Sequence, residues 1–216
     1  YCKLLASKHE FVEICESKYL MYKHFKGKID VPEFYLVKTM TELIEAAEKL
    51  GYPEKDVVFK PPEGKGARGV RVLTEKSNRY DLLFNGRPFA KFISMDELKS
   101  TVGKKEIPPL MIMEYLDGVE LKIDPVLQNG EMLTCSVKNR LNFASGLAMG
   151  FEMIEDNAAL EYANKLLEHL PMDYCIDIST RGGVLMEINP RVSTYIYGEN
   201  YCAPYLSLKL AMGEMS

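Results

Sequence analysis

The chain has 216 residues, 47 % of them hydrophobic and 27 % charged, with a formal charge of −4. That length supports a substantial core in one domain or two small lobes, and the acidic balance speaks against a general nucleic-acid binder, which is ordinarily basic. No apolar run approaches the roughly 20 residues that span a bilayer, so a soluble cytoplasmic protein is expected. The five cysteines (Cys2, Cys15, Cys135, Cys175, Cys202) include no C-x-x-C pair and are expected as free thiols. The three histidines lack zinc-ligand spacing. The opening Tyr1-Cys2-Lys3-Leu4-Leu5 has no signal-peptide pattern and is expected to follow an N-terminal portion of a longer protein.

In chain order, Val12, Cys15, Tyr19, Tyr22 and Phe25 recur near the helical period and predict one helix over 11–25. Ile29-Asp30-Val31-Pro32 leads into a strand at Phe34-Tyr35-Leu36-Val37. A second helix is expected over Thr41–Leu50, with Thr41 as its cap and Gly51 as its stop. Two β-prone runs, Asp56–Phe59 and Val70–Leu73, flank a glycine-rich segment. Thr74–Arg87 reads as a surface connection, and Ser94–Val102 as a helix with Asp96 and Glu97 in its first turn. Leu110-Met111-Ile112-Met113, apolar on both faces, predicts an interior strand.

Glu120–Leu127 and Glu131–Val137 predict a hairpin around Gln128-Asn129-Gly130. Met153–Asp156 is expected to begin a helix that continues amphipathically over Ala158–Leu170. Asp173–Ile178 and Val184–Ile188 predict a second strand pair around Thr180–Gly183, and Tyr205–Met212 a closing helix. Hairpin-paired strands with interspersed helices indicate α+β architecture rather than a doubly wound parallel sheet.

Three segments carry candidate chemistry. In Lys60-Pro-Pro-Glu-Gly-Lys-Gly-Ala-Arg-Gly-Val70 the glycines Gly64, Gly66 and Gly69 allow backbone N–H groups to approach phosphate oxygens, and Lys60, Lys65 and Arg68 supply positive charge. The dinucleotide fingerprint requires its last glycine to open a helix, whereas Gly69 leads into a β-like run. The Walker A ending is absent, as are the H-R-D and D-F-G signatures of protein kinases. An ordinary hairpin turn with solvated charges remains the plainer alternative for this loop taken alone. In Met186-Glu187-Ile188-Asn189-Pro190-Arg191, Glu187 and Asn189 share one strand face. A tight hairpin brings Asp177 to the neighbouring strand, and such hard oxygen donors suit Mg²⁺. Arg191 follows at once and suits phosphoryl oxygens. The third segment, Met113-Glu114-Tyr115-Leu116 with Glu120 beyond it, ends a buried strand and offers backbone groups and carboxylates to a base and a ribose, with ordinary acidic residues around the Asp117-Gly118 turn as the plainer alternative for this segment taken alone.

Together and in this order the segments resemble the ATP-grasp superfamily, in particular its carboxylate–amine ligases and the carbamoyl-phosphate synthase large-subunit-like branch. Ser17-Lys18-Tyr19 and Ile29–Phe34 resemble the family's lysine-bearing helix and the proline-marked lead into its strand. The resemblance implies two α+β lobes with mostly antiparallel sheets gripping ATP between them: 1–28 a linker and lysine-bearing helix, 29–113 the small lobe, 114–216 the large lobe with the metal site. It implies that Lys18, Lys60, Gly64, Lys65, Gly66 and Gly69 hold the ATP phosphates. Glu114, Tyr115 and Leu116 are implied at adenine and Glu120 at the ribose. Asp177, Glu187 and Asn189 are implied as ligands of Mg²⁺, or of Mn²⁺ in its place. Arg191, Arg140 and Lys138 are the candidates for the phosphoryl group and the acceptor, with a solvated strand edge as the alternative for Lys138 and Arg140.

The implied function is an ATP- and Mg²⁺-dependent ligase that joins a small carboxylic acid to an amine through an acylphosphate. Phosphorylation of bicarbonate in the manner of carbamoyl-phosphate synthase, and a non-catalytic ATP-binding module, are the alternatives. The partners implied are small molecules, with neither nucleic acid nor membrane, and a homo-oligomer is compatible with them. Substrate choice is expected to lie in the preceding region, in Lys138–Gly146, and in the tyrosine-bearing segment Val192–Gly198.

Overall fold

The computed structural model describes residues 4–64, 68–76, 91–144, 147–193, 197–198 and 201–215. They fall into two compact units, Pro32–Leu116 and the pair of segments Tyr1–Val31 and Asp117–Ser216. The helices of the segment 1–28 fall in the same unit as Asp117–Ser216.

The unit Pro32–Leu116 is built on a five-stranded sheet of order β1-β5-β2-β3-β4. Its strands are β1 (Phe34–Val37), β2 (Val57–Lys60), β3 (Arg71–Leu73), β4 (Phe92–Ile93) and β5 (Leu110–Glu114). Only β3 and β4 run parallel; the remaining pairs are antiparallel. β5, the run apolar on both faces, lies inside the sheet between β1 and β2 as its pattern requires. α3 (Met40–Lys49) packs Leu43, Ala46 and Ala47 into a core with Val37, Val57, Phe59, Leu73 and Ile112. Its cap is Thr39, whose hydroxyl accepts from Glu42 N at 3.1 Å, and not Thr41. α4 (Met95–Val102) is capped by Ser94 through Glu97 N. Most of the connection expected over Thr74–Arg87, from Ser77 onward, lies outside the described residues.

The other unit carries a sheet of order β11-β10-β6-β7-β8, with the short β9 beside β6. Here β6 is Glu120–Gln128, β7 Glu131–Ala144, β8 Leu147–Ile154, β9 Tyr174–Cys175, β10 Asp177–Arg181 and β11 Val184–Asn189. β8 was not expected, and Met153 and Ile154 end it rather than opening a helix. Asp156 then caps α5 (Asn157–His169), its Oδ1 accepting from Ala159 N. Ala163, Leu166 and Leu167 of α5 are buried, as are Ile123 and Leu127 of β6. Each fully buried aliphatic side chain contributes about 1.5–3 kcal/mol of transfer free energy. A two-residue pair, β12 (Tyr197–Gly198) with β13 (Tyr201–Cys202), leads into α6 (Ala203–Met212). Among the described residues no helix is long and apolar enough to cross a membrane.

The helix expected over 11–25 is two: α1 (His9–Glu16) and α2 (Lys18–Phe25). Ser17 is extended between them, and its hydroxyl accepts from Leu20 N, so the serine restarts the helix instead of continuing it. The four described cysteines are free, and burial pushes the Cys15 and Cys135 thiols up to about 12.

The β6–β7 and β10–β11 turns have positive φ at their two central residues, Asn129 and Gly130 in one and Gly182 and Gly183 in the other, the geometry that matches strand twist. A Cβ on Gly182 would stand 2.4 Å from Asp117 O, whereas one on Gly183 meets nothing. Gly182→Ala is therefore expected to lower unfolding free energy by about 1–3 kcal/mol, and Gly183→Ala by distinctly less. Equal urea midpoints for the two variants would contradict this close approach.

Candidate active site

The candidate residues divide between the two units. In Pro32–Leu116, Lys60 ends β2 and is buried, and the glycine loop begins directly after it. Gly69 has φ +72, and a Cβ there would stand 2.9 Å from the Pro61 ring, so the far end of the loop closes on its near end only with glycine. Gly64 lies on the described part of the loop; Lys65 and Gly66 lie outside the described residues. Glu114 ends β5, exposed, and its carboxylate accepts from Glu33 N at 2.9 Å while its own N–H donates to Glu33 O. This reciprocal pair fixes where the strand stops and Tyr115-Leu116, half-buried, begins.

In the other unit, strand alternation assembles a polar sheet face. Lys122 of β6 stands opposite Lys138 of β7 on one side and Ser179 of β10 on the other, and Ser179 stands opposite Glu187 of β11. The adjoining rows pair Asp124 with Ser136, Asp177 with Asn189, and Arg181 with Glu120. Arg140 belongs to the same face by its two-residue spacing from Lys138.

One irregularity brings Glu187 into register. Ser179 faces Glu187 but Thr180 faces Leu185, so Met186 is an extra residue in β11. Through this bulge Leu185 and Ile188 both reach the core, and Glu187 joins the polar face. The Met186 carbonyl accepts from Tyr22 Oη at 2.7 Å. Tyr22 is fully buried on α2, and burial first, then the Glu187 carboxylate, raises its phenol pKa. The same helix carries Lys18, half-buried in its first turn, so α2 is fastened to the strand that presents Glu187.

Asp177, Glu187 and Asn189 do converge: Asn189 Nδ2 lies 3.3 Å from Glu187 Oε1 and 3.5 Å from Asp177 Oδ2. Two carboxylates and an amide fit a hard divalent cation in donor chemistry, although the amide turns its nitrogen, not its oxygen, toward them. Among the described residues no group of three His, Cys, Asp or Glu side chains forms a metal cluster, so the amide is needed to complete this one. Arg191, 57 % exposed, reaches to 3.7 Å from Asp177 Oδ2 and donates to Val192 O.

Three of the other candidates, Glu120, Arg140 and Lys138, are already engaged. Glu120 is buried, with Oε1 held by Arg140 and Oε2 by Arg181 at 2.7 Å. A carboxylate keeps further lone pairs, so these bonds orient Glu120 without exhausting it. Lys138 is no solvated edge: it is 1 % exposed, with its ammonium 2.7 Å from Asp124 Oδ2 and 5.4 Å from the Phe151 ring centroid. Lys122 and Arg181, which the sequence reading passed over, complete the face. Their signal was present in the alternation Glu120-x-Lys122-x-Asp124 and Asp177-x-Ser179-x-Arg181. Of the segment Val192–Gly198, Thr194, Tyr195 and Ile196 lie outside the described residues.

Comparison with known proteins decides the family. The model of the family described as "ATP-grasp in the biosynthetic pathway with Ter operon" matches residues 106–216, just over half of the chain. The chain belongs to the ATP-grasp family. The ATP-grasp chain is also similar to the carbamoyl phosphate synthase large chain of Thermomicrobium roseum, 23 % identical over 205 residues, which covers 88 % of this chain and 17 % of that one. Its fold is similar to that of part of the L-amino acid ligase from Bacillus licheniformis, with TM-score 0.63 and 18 % identity over 94 % of this chain and 48 % of that one. D-alanine–D-alanine ligase from Bacillus anthracis, solved in complex with ATP, gives TM-score 0.57 and 20 % identity over 96 % of this chain and 64 % of that one. The chain therefore spans a small part of its curated relative and about half to two thirds of these solved chains. An α+β ATP-grasp fold accounts for both antiparallel-rich sheets.

Proposed function

We propose that the protein is an ATP-dependent ligase that activates a carboxylic acid and joins it to an amine, forming a C–N bond. A carboxylate oxygen attacks the γ-phosphorus of ATP, the bond from that phosphorus to the β–γ bridging oxygen breaks, and ADP departs. The acylphosphate so formed is attacked at its carbonyl carbon by an amine nitrogen, which loses a proton as inorganic phosphate leaves. The observation that carries this reading is the register of β10 and β11, which puts Asp177, Glu187 and Asn189 on one face with Arg191 beside them.

Phosphoryl transfer requires positioning and charge neutralisation above all. Lys18 and Lys60 are assigned to the phosphates, with the Gly64–Gly69 loop as their cover against water, which otherwise hydrolyses an acylphosphate. Glu114, Tyr115 and Leu116 are assigned to adenine and Glu120 to the ribose. Arg191 and Arg140 are assigned to the transferred phosphoryl group and the acid. Lys138 is assigned to orienting Asp124 on the same face. Asp177, Glu187 and Asn189 would hold Mg²⁺ or Mn²⁺, which neutralises phosphate oxygens when bound.

A second reading is favoured by the similarity to a carbamoyl phosphate synthase large chain: the acid is bicarbonate and the nucleophile ammonia. One assay separates the two. ADP and phosphate release with ATP and Mg²⁺ is measured against amino acids, small carboxylic acids and bicarbonate, each with and without an amine. Release dependent on an organic acid supports the first reading, and release with bicarbonate alone supports the second. Tight ATP binding without turnover on any acid would favour a nucleotide-binding module.

A further inference from the structure

The trio assigned to a divalent cation already holds a cation of the chain's own. Lys122 Nζ donates to both oxygens of Asp177, at 2.7 and 3.0 Å, and to the Ser179 hydroxyl, and it lies 3.8 Å from Glu187 Oε1. The Lys122 side chain is 14 % exposed and that of Asp177 3 %, so solvent screens this contact weakly. The face carries four cations, Lys122, Lys138, Arg140 and Arg181, against four carboxylates, Glu120, Asp124, Asp177 and Glu187. Lys138 is committed to Asp124, and Arg140 and Arg181 to Glu120. Charge on the strands themselves thus balances while Lys122 stays, with Arg191 a further cation 3.7 Å from Asp177 Oδ2.

A divalent ion at Asp177 would add two charges where an ammonium already sits, and like charges a few ångströms apart repel strongly at low dielectric. Either the ion or the ammonium must yield. Lysine is the side chain able to do so, being a compact charge on a flexible four-carbon stem, whereas the two guanidinium groups are pinned to one buried carboxylate.

Building on the metal reading above, we infer that Lys122 is a tethered cation that competes with the divalent metal for Asp177. It pairs with Asp177 without metal, and it must leave Asp177 for metal to bind. Metal affinity of the nucleotide-free protein is then set as much by Lys122 as by the ligands.

The test is Mn²⁺ binding, read by electron paramagnetic resonance without nucleotide, in the natural chain, Lys122→Met, Lys122→Arg and Glu187→Gln. Lys122→Met is expected to bind Mn²⁺ at least about tenfold more tightly than the natural chain, and Lys122→Arg to stay near the natural affinity. Circular dichroism checks the fold, and Lys122→Gln reads the same quantity if the methionine variant does not fold. Equal or weaker binding after removal of the ammonium overturns the competition and leaves the metal reading standing, provided Glu187→Gln still loses Mn²⁺. Absence of Mn²⁺ binding in the natural and lysine-substituted chains alike overturns both.

Discussion

Glu187→Gln is expected to reduce acid-dependent ADP release by about 10²–10³-fold or more, while leaving the unfolding midpoint close to that of the natural chain. The substitution keeps the length of the side chain and one oxygen acceptor, and it removes the charge. Glu187 is 38 % exposed, and its neighbours include Asn189 Nδ2 at 3.3 Å and Lys122 Nζ at 3.8 Å. Neither contact anchors the fold, which rests on Leu185 and Ile188 to either side. Loss of turnover without loss of fold is thus the signature of a ligand to a catalytic cation, because a structural carboxylate would move both. Turnover within a few-fold of the natural chain would remove Glu187 from the proposed site, and with it the case for Asp177 and Asn189. The measurement belongs at saturating Mg²⁺ and again at limiting Mg²⁺: a ligand variant gives a larger deficit when metal is scarce.

Much of this site was legible because strand pairing turns spacing into proximity. Glu187-x-Asn189 and the short Asp177–Glu187 hairpin predicted a shared face, and the register of β10 with β11 has that form. The interior strand at Leu110–Met113 was readable for the same reason, as both its faces are apolar. What escaped was the partner strand. Glu120, Lys122 and Asp124 alternate as cleanly as Glu187 and Asn189, yet only non-local pairing of β6 with β10 makes Lys122 a neighbour of Asp177. The bulge at Met186 was equally hidden, because one residue out of step resembles ordinary variation until the partner strand fixes the count. The break at Ser17 was missed for a different reason. Helical periodicity continues through it, and only the hydrogen bond from Leu20 N to the serine hydroxyl shows that the backbone restarts there. Lys138 looked like a surface lysine because composition alone does not reveal a buried counter-charge fourteen positions earlier in the chain.

That buried pair yields the second large effect. Lys138→Met is expected to lower unfolding free energy at pH 8 by about 3–5 kcal/mol, the range for removing one partner of a buried ion pair. Methionine nearly preserves the volume and the contact with Phe151, so the loss reports charge more than packing. The pH dependence provides the sharper check. Burial raises the Asp124 pKa, and Lys138 is the chief influence lowering it. Without the lysine, the native carboxylate binds its proton more tightly than the unfolded chain does. A carboxyl group whose folded pKa is raised contributes stability that is present below its unfolded pKa and is lost as pH rises through its folded pKa. The Lys138→Met deficit must therefore shrink as pH falls, because Asp124 takes up a proton and enters the interior neutral. Adding Asp124→Asn to Lys138→Met removes the charge directly and should recover a large part of the loss at pH 8 while flattening the pH profile. Urea midpoints for the three proteins at pH 5 and pH 8 decide the matter. A deficit below about 1 kcal/mol at pH 8, within the range of exposed pairs, or one that grows on acidification, would mean that Lys138 and Asp124 are not the buried couple that orders this face of the sheet.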